Sequence, residues 1–134
     1  MSLETTIEQV EGASPVTILA LDGELDASNF EAVIDTVRGL YEGGTRRLLL
    51  DLADLRFMAS SGLVALHSIV RIMHGEPPPD ADAGWSALHA ELGDRQTEVQ
   101  LCAPQAAVER VLTRTGLDRL FVVHADRDTA IAAW

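Results

Sequence analysis

The serine pair Ser60-Ser61 is the part of this sequence whose residue types are best suited to chemistry. Together with Gly62 it stands between an apolar run and the start of a predicted amphipathic helix. A serine hydroxyl in that place can cap the helix, accept a phosphoryl group or act as a nucleophile. A helix N-terminus favours the first two roles, because its free N–H groups and its macrodipole stabilise both a capping oxygen and a phosphate.

Catalysis by this pair has little support from the rest of the sequence. A hydrolase elbow reads Gly-x-Ser-x-Gly, whereas this chain has Met-Ala-Ser-Ser-Gly. The phosphate loop, the dinucleotide-binding glycine motif and the His-Glu-x-x-His zinc motif are all missing from the sequence. His124, which follows the last predicted strand, is the one candidate base for Ser60. The other histidines have no metal-ligand spacing and are His67, His74 and His89. The sequence therefore predicts no enzyme, no metal site and no cofactor.

Length and composition predict one soluble domain spanning residues 1–134, with 47% hydrophobic and 23% charged residues. The formal charge is −11, from 21 acidic against 10 basic residues. Such a charge disfavours nucleic acid and anionic membrane as partners and favours a partner with a basic patch. No apolar run is long enough to span a membrane and no signal pattern is present, so a cytoplasmic location is expected. Cys102 lies in an apolar run and is predicted to be a buried structural thiol.

Alternating strand and helix patterns predict the elements that position the serines. Strands are predicted at residues 5–10, 16–21, 46–53, 97–103 and 120–125. Helices are predicted after Ser28 or Asn29, after Ser60 as N-cap, from Pro104 to a stop at Gly116, and after Asp126. The fold class is α/β, with a mixed, mostly parallel sheet of about five strands and about four helices. The order is β-β-α-β-α-(insert)-β-α-β-α.

The insert at residues 75–96 is too long for an ordinary connection between a helix and a strand. A short amphipathic helix is predicted inside it, because Trp85, Leu88, His89 and Leu92 recur at helical spacing. Two interpretations stay open. The helix packs on the edge of the domain, or it forms a docking surface for a partner or for a second copy in a homodimer.

Three separated stretches of the sequence resemble one protein family. DLADLRFMASSGLVAL at residues 51–66 is similar to the switch motif of STAS domains, the family of anti-sigma-factor antagonists. GELDAS at residues 23–28 resembles the loop after that family's second strand, and RVLTRTGLDRLF at residues 110–121 resembles its helix-glycine-leucine segment. The matches occur in the right order and extend over nearly the whole chain outside the insert.

The resemblance implies a small binding protein that is itself a phosphorylation substrate. Its implied partners are an anti-sigma factor that is also a serine kinase of the GHKL type, and a serine phosphatase. The unmodified form would bind the anti-sigma factor and release the sigma factor, and phosphorylation would end that binding. Carried over by position, the phosphorylated serine is Ser60, with Ser61 second. The implied contact residues are Asp26, Ala59, Ser60, Ser61, Gly62 and Leu63.

The sequence departs from the family at Ala59, where an acidic residue is usual. This departure keeps a second hypothesis open, in which the chain is a STAS-like binding module that is not phosphorylated. Its ligand would be a small molecule such as a nucleotide or lipid, or another protein, and Ser60 would be only a cap.

Overall fold

A five-stranded mixed sheet forms the centre of the molecule. The computed structural model describes residues 3–11, 15–73, 96–119 and 121–133. The strands are β1 (Leu3–Val10), β2 (Val16–Leu25), β3 (Leu48–Met58), β4 (Gln96–Cys102) and β5 (Phe121–His124), in that order across the sheet. β1 is antiparallel to β2, and the other neighbours are parallel. The predicted fold class, with five strands and four helices, is confirmed. The predicted insert helix with Trp85, Leu88, His89 and Leu92 lies outside the described residues.

Within the described residues, four helices accompany the strands: α1 (Phe30–Glu42), α2 (Ser60–Met73), α3 (Ala106–Thr115) and α4 (Arg127–Ala132). A short 3₁₀ turn, Leu117–Arg119, follows α3. The buried residues of α1, α2 and α3 share one apolar core with the sheet. Ala130 of α4 belongs to a second, smaller cluster with residues of β2, β3 and β4. No helix in the described part of the chain is long and apolar enough to cross a membrane.

Strand β3 is buried on both faces over its first half. Leu48, Leu50 and Leu52 belong to the core beneath the three long helices. Leu49 points the other way and packs in the cluster that contains Ala130. A strand covered on both sides requires a nearly continuous apolar run, which is how the sequence reads at residues 48–52.

Strands β2 and β3 extend further than their sequences predict. β4 ends at Cys102, opposite Asp51, whereas β3 continues to Met58 and pairs there with Leu25 of β2. The two strands therefore project beyond β4 as a ribbon (residues 22–25 and 54–58), which β1 flanks only as far as Gly23. The register shifts between Ala20 and Asp22 and again between Gly23 and Glu24. Glycine and aspartate are weak strand formers, so the sequence pattern placed the end of β2 too early. Pairing with a parallel neighbour overrides this local preference.

Two predicted helix ends are confirmed, and the predicted start of α3 is wrong. Asp126 caps α4 by accepting the backbone N–H of Thr129 at 2.8 Å, and Gly116 ends α3 in the left-handed conformation at φ 80°, both as predicted. Pro104 was predicted in the first turn of α3, but the helix begins at Ala106. The prediction is wrong because Ala103 leaves β4 at φ 55°. Pro104 therefore falls in the connection.

An ion-pair network holds α4 to the second face of the sheet. The Arg127 guanidinium donates to Asp51 on β3 at 2.7 Å and to Glu8 on β1 at 2.7 Å. Cys102 packs in the same region and is buried, as predicted. Burial, reinforced by the nearby Asp51 carboxylate, raises the pKa of the Cys102 thiol to about 12.

We predict that Cys102 is unreactive in the folded protein. A thiol with a pKa about four units above pH 8 holds almost no thiolate, and its sulfur is covered by the sheet and α4. A disulfide reagent at pH 8 should label Cys102 only after urea unfolds the domain. Labelling in native buffer at the rate seen in urea would show that the smaller core is open.

Two glycines provide opposite tests of the backbone. Gly39 lies on the exposed side of α1, where an added Cβ meets no heavy atom within 4 Å. Gly116 has equal space but a φ of +80°. Gly39→Ala should raise the free energy of unfolding by about 0.5–1 kcal/mol. Gly116→Ala should lower it by about 1 kcal/mol. Urea titrations at one pH measure both, and shifts of the same sign would contradict the helix boundaries.

Candidate functional site

The two segments that carry the candidate residues meet at the carboxyl ends of β2 and β3. Leu25 and Met58 are paired as the last residues of their strands. The next residue of the second segment, Ala59, donates its backbone N–H to the carbonyl of Leu25 at 2.9 Å. Asp26 and Ser60 each directly follow one of these bonded residues. The structure therefore brings together the two segments that the sequence analysis had to connect by resemblance.

The loop after β2 holds Asp26 in a defined orientation. Its Oδ1 accepts the backbone N–H of Ser28 at 2.9 Å and the Ser28 hydroxyl at 2.5 Å. These hydrogen bonds, the side-chain one first, hold the pKa of Asp26 below its ordinary value. Asp26 is therefore a carboxylate at neutral pH, and one of its oxygens is already engaged.

Asn29 fixes the same loop from the start of α1. It occupies the N-cap position but makes no capping hydrogen bond to the helix. Its side chain instead accepts the N–H of Asp26 at 3.0 Å and donates to the carbonyl of Glu24 at 2.8 Å. The predicted N-cap position of Asn29 is confirmed. The side chain of Asn29, however, forms its hydrogen bonds to the loop and not to the helix.

The two serines have different environments. Helix α2 begins at Ser60, and the carbonyl of Ala59 accepts the first N–H, from Gly62, at 2.9 Å. The prediction of Ser60 as N-cap is therefore wrong by one residue, since Ala59 holds that place. Ser60 is exposed, and no hydrogen bond involves its hydroxyl among the described residues. The Ser61 hydroxyl oxygen is buried there without a hydrogen-bond partner.

Gly62 and Leu63 seat the helix on the ribbon. A Cβ on Gly62 would lie 2.5 Å from Met58 Cγ and 3.1 Å from Leu25 Cδ2, so only glycine lets α2 start this close to the strands. Leu63 is 6% exposed and belongs to the main core. The family resemblance implies that Gly62 contacts a partner. In the free protein, the visible role of this glycine is close packing within the chain.

The candidate base for Ser60 is distant from it. His124 pairs with Cys102, which is opposite Asp51, and β3 then continues to Met58, a span of about 20 Å. The ring of His124 is hydrogen-bonded to Gln100 at 2.6 Å. His67 is buried on α2, and His74 and His89 lie outside the described residues. Among the described residues, no group of three or more His, Cys, Asp or Glu side chains is arranged to hold a metal ion.

Sequence reasoning missed two exposed apolar side chains next to the serines, Phe57 and Val64. Val64 could have been recognised, because it falls outside the stripe of Leu63, Leu66 and Ile69 that faces the core. Phe57 gave no such signal, because a phenylalanine at the end of an apolar strand ordinarily reads as core.

Solved structures with this fold come from several bacteria. An anti-sigma factor antagonist from Mycobacterium paratuberculosis is 23% identical, with a TM-score of 0.68 over 98% of this chain and 93% of that one. The Bacillus cell fate determinant SpoIIAA in its phosphorylated form is 19% identical, with a TM-score of 0.57 over 96% and 98%. The SulP transporter STAS domain from Vibrio cholerae is 19% identical, with a TM-score of 0.58 over 88% and 77%. At these identities the likeness establishes the fold alone.

The family itself is established by sequence. A search of curated protein sequences gives no significant match. The family model for the STAS domain matches residues 6–74, which is just over half of the chain and includes both segments of the candidate site. The chain therefore belongs to the STAS domain family.

Proposed function

We propose that this protein is an anti-sigma-factor antagonist controlled by phosphorylation of Ser60. The unmodified protein binds, in the cytoplasm, an anti-sigma factor that is also a serine kinase of the GHKL type, and the sigma factor is released. Transfer of a phosphoryl group to Ser60 ends the binding, and a serine phosphatase restores it. The protein itself is a binding partner and substrate, not an enzyme.

The observation that carries this proposal is the difference between the two serines. Ser60 is exposed, with no hydrogen bond to its hydroxyl among the described residues, so a kinase can reach it without disturbing the fold. The Ser61 hydroxyl oxygen is buried beneath the first turn of α2. Ser60 is therefore the acceptor, and Ser61 is excluded from direct transfer by its position. SpoIIAA, which shares the fold, has a phosphorylated form, and this supports regulation of the present protein by phosphorylation.

A phosphate on Ser60 suits the fold but not the interface. The N-terminus of α2 offsets its charge by roughly 0.3–2 kcal/mol, so the domain stays folded. A bound serine kinase brings the phosphates of its nucleotide and a catalytic carboxylate to the same point. At about 5 Å and an effective dielectric near 20, each pair of like unit charges costs roughly 3 kcal/mol. Asp26, held as a carboxylate by Ser28, adds to this repulsion.

Ala59 makes the Asp26 loop the source of negative charge beside Ser60. The family usually carries an acidic residue where this chain has Ala59, whose N–H is bonded to Leu25. Asp26 directly follows Leu25, so its carboxylate is the acidic group that the fold delivers to the serine. We propose that the kinase partner recognises Asp26 in place of the missing acidic residue.

Substitutions at the two serines test the switch. Ser60→Glu should weaken binding to the kinase partner by about 30- to 1000-fold, corresponding to 2–4 kcal/mol, with little change in melting temperature. Ser60→Ala should bind as wild type and accept no phosphate. Its stability should change by less than about 0.5 kcal/mol, because the Ser60 hydroxyl caps nothing. Titration calorimetry and intact mass after addition of ATP measure these results.

Ser61→Ala is the matched control for this experiment. It removes a buried hydroxyl that lacks a partner, so it should leave phosphorylation intact and stability unchanged or improved. The switch is refuted if Ser60→Glu binds as tightly as wild type and ATP adds no mass to the wild-type protein. Phosphate on Ser61 in the Ser60→Ala variant would instead reassign the acceptor.

A pocket at the opposite end of the sheet favours a second candidate function, binding of a small ligand. It has a volume of about 420 Å³ and lies between the start of β2 and the end of α1. The polar side chains that line it include Gln9, Glu11, Thr17, Thr45, Arg46 and Arg47. A small molecule that copurifies with unphosphorylated protein, and is lost on Thr45→Val substitution, would support this function.

A further inference from the structure

Exposed apolar side chains are concentrated around Ser60. Among the described residues, three large hydrophobic side chains are exposed: Ile7 at 46%, Phe57 at 44% and Val64 at 37%. Phe57 lies near the end of β3, three residues before Ser60. Val64 lies on α2, about one turn after Ser60. The Cα atoms of both therefore lie within about 10 Å of that of Ser60. Ile7 pairs with Leu19, about 20 Å down β2 from Leu25.

An interface centred on Ser60 is large enough to reach both side chains. A specific protein interface buries about 800 Å² on each partner, a patch with a radius of about 16 Å. In the free protein, Phe57 and Val64 remain in contact with water, so they do not gain the free energy of burial that the buried apolar side chains of β3 and α2 gain. Each is therefore available to a partner at no cost to the fold.

The charges around these side chains select the kind of partner. Glu24 pairs with Phe57 across the ribbon, Asp54 precedes Phe57 on the same strand, and Asp26 lies in the loop beside Ser60. Arg56, the one basic residue in the ribbon (residues 22–25 and 54–58), is 3.7 Å from Asp22 and is offset by it. The patch is thus apolar at Phe57 and Val64, and it is negative around Phe57 and in the loop beside Ser60. A second copy of the chain would meet like charges there, as would an anionic membrane.

We propose that Phe57 and Val64 are the apolar anchors of the interface with the anti-sigma factor, which receives them in pockets rimmed by arginine or lysine. The inference rests on the proposed function and names the contacts that give it affinity. It also adds a reason for the switch. A phosphate placed between two buried apolar anchors would lose its water, and basic groups at the rim are too far out to replace it.

Three serine substitutions test the anchors under matched conditions. Phe57→Ser and Val64→Ser should each weaken binding about 10- to 100-fold. Ile7→Ser removes an equally exposed side chain remote from Ser60 and should change the dissociation constant by less than about 2-fold. The probes are the purified GHKL-type anti-sigma factors of the source organism, each titrated with unphosphorylated protein. Melting temperatures confirm that all three variants are folded, and Phe57→Leu, which keeps an apolar side chain, should retain most of the affinity if Phe57→Ser is unstable.

The outcomes separate this inference from the proposed function. The wild type could bind one anti-sigma factor, and the Phe57 and Val64 variants could bind it as well as Ile7→Ser does. This result would contradict the role of Phe57 and Val64 as anchors but would leave the proposed function intact. If the wild type binds none of them, both fail. Asp54→Lys should weaken binding about 3- to 10-fold, and tighter binding by this variant would overturn the basic rim.

Discussion

The position of Ser60 depends on the parallel pairing of β2 and β3 beyond the end of β4. Leu25 and Met58 close the ribbon, are 0% and 3% exposed, and provide the surface on which α2 starts. Burying two such side chains is worth about 1.5–3 kcal/mol each, which stabilises the end of the ribbon beyond its pairing with β1. Gly62 can approach them because it has no Cβ. The direction of α2, and the outward position of Ser60 at its first residue, follow from this contact.

The second face of the sheet anchors the opposite side of the same strand. Asp51 accepts the guanidinium of Arg127 and the backbone N–H of Ala53, and the side chain of Gln105 donates to the carbonyl of Ala53. Side chains thus satisfy both the backbone N–H and the carbonyl of Ala53, a residue of β3 that lies beyond the end of the neighbouring strand β4. An unpaired strand edge invites pairing with other chains, and these hydrogen bonds block it at the base of the ribbon. Asp51 is the first residue of the segment that resembles the family's switch motif, but the hydrogen bonds that Asp51 makes stabilise the fold.

Much of the fold could be predicted because its signals are local. The apolar run at residues 48–52, the caps at Asp126 and Gly116 and the alternation of strands with helices each report a backbone state that the sequence itself favours. The ribbon could not be predicted, because its stability comes from pairing between distant segments. The same holds for the serines. Two adjacent, chemically identical residues differ in exposure because a helix turns by about 100° per residue and Gly62 seats the first turn against Met58 and Leu25. The helix in the insert stays a prediction.

Local costs collect in one segment, residues 57–64. Phe57 and Val64 are apolar and exposed, and the Ser61 hydroxyl is buried without a hydrogen bond among the described residues. An unsatisfied buried hydroxyl alone costs about 1–3 kcal/mol. Elsewhere in the described chain, Ile7 is the one other large hydrophobic side chain that is exposed. A sequence optimised only for stability would remove such exceptions, and departures of this kind are expected at functional sites, which supports the proposed interface around Ser60. The segment includes residues 59–63, which the family resemblance implies as partner contacts.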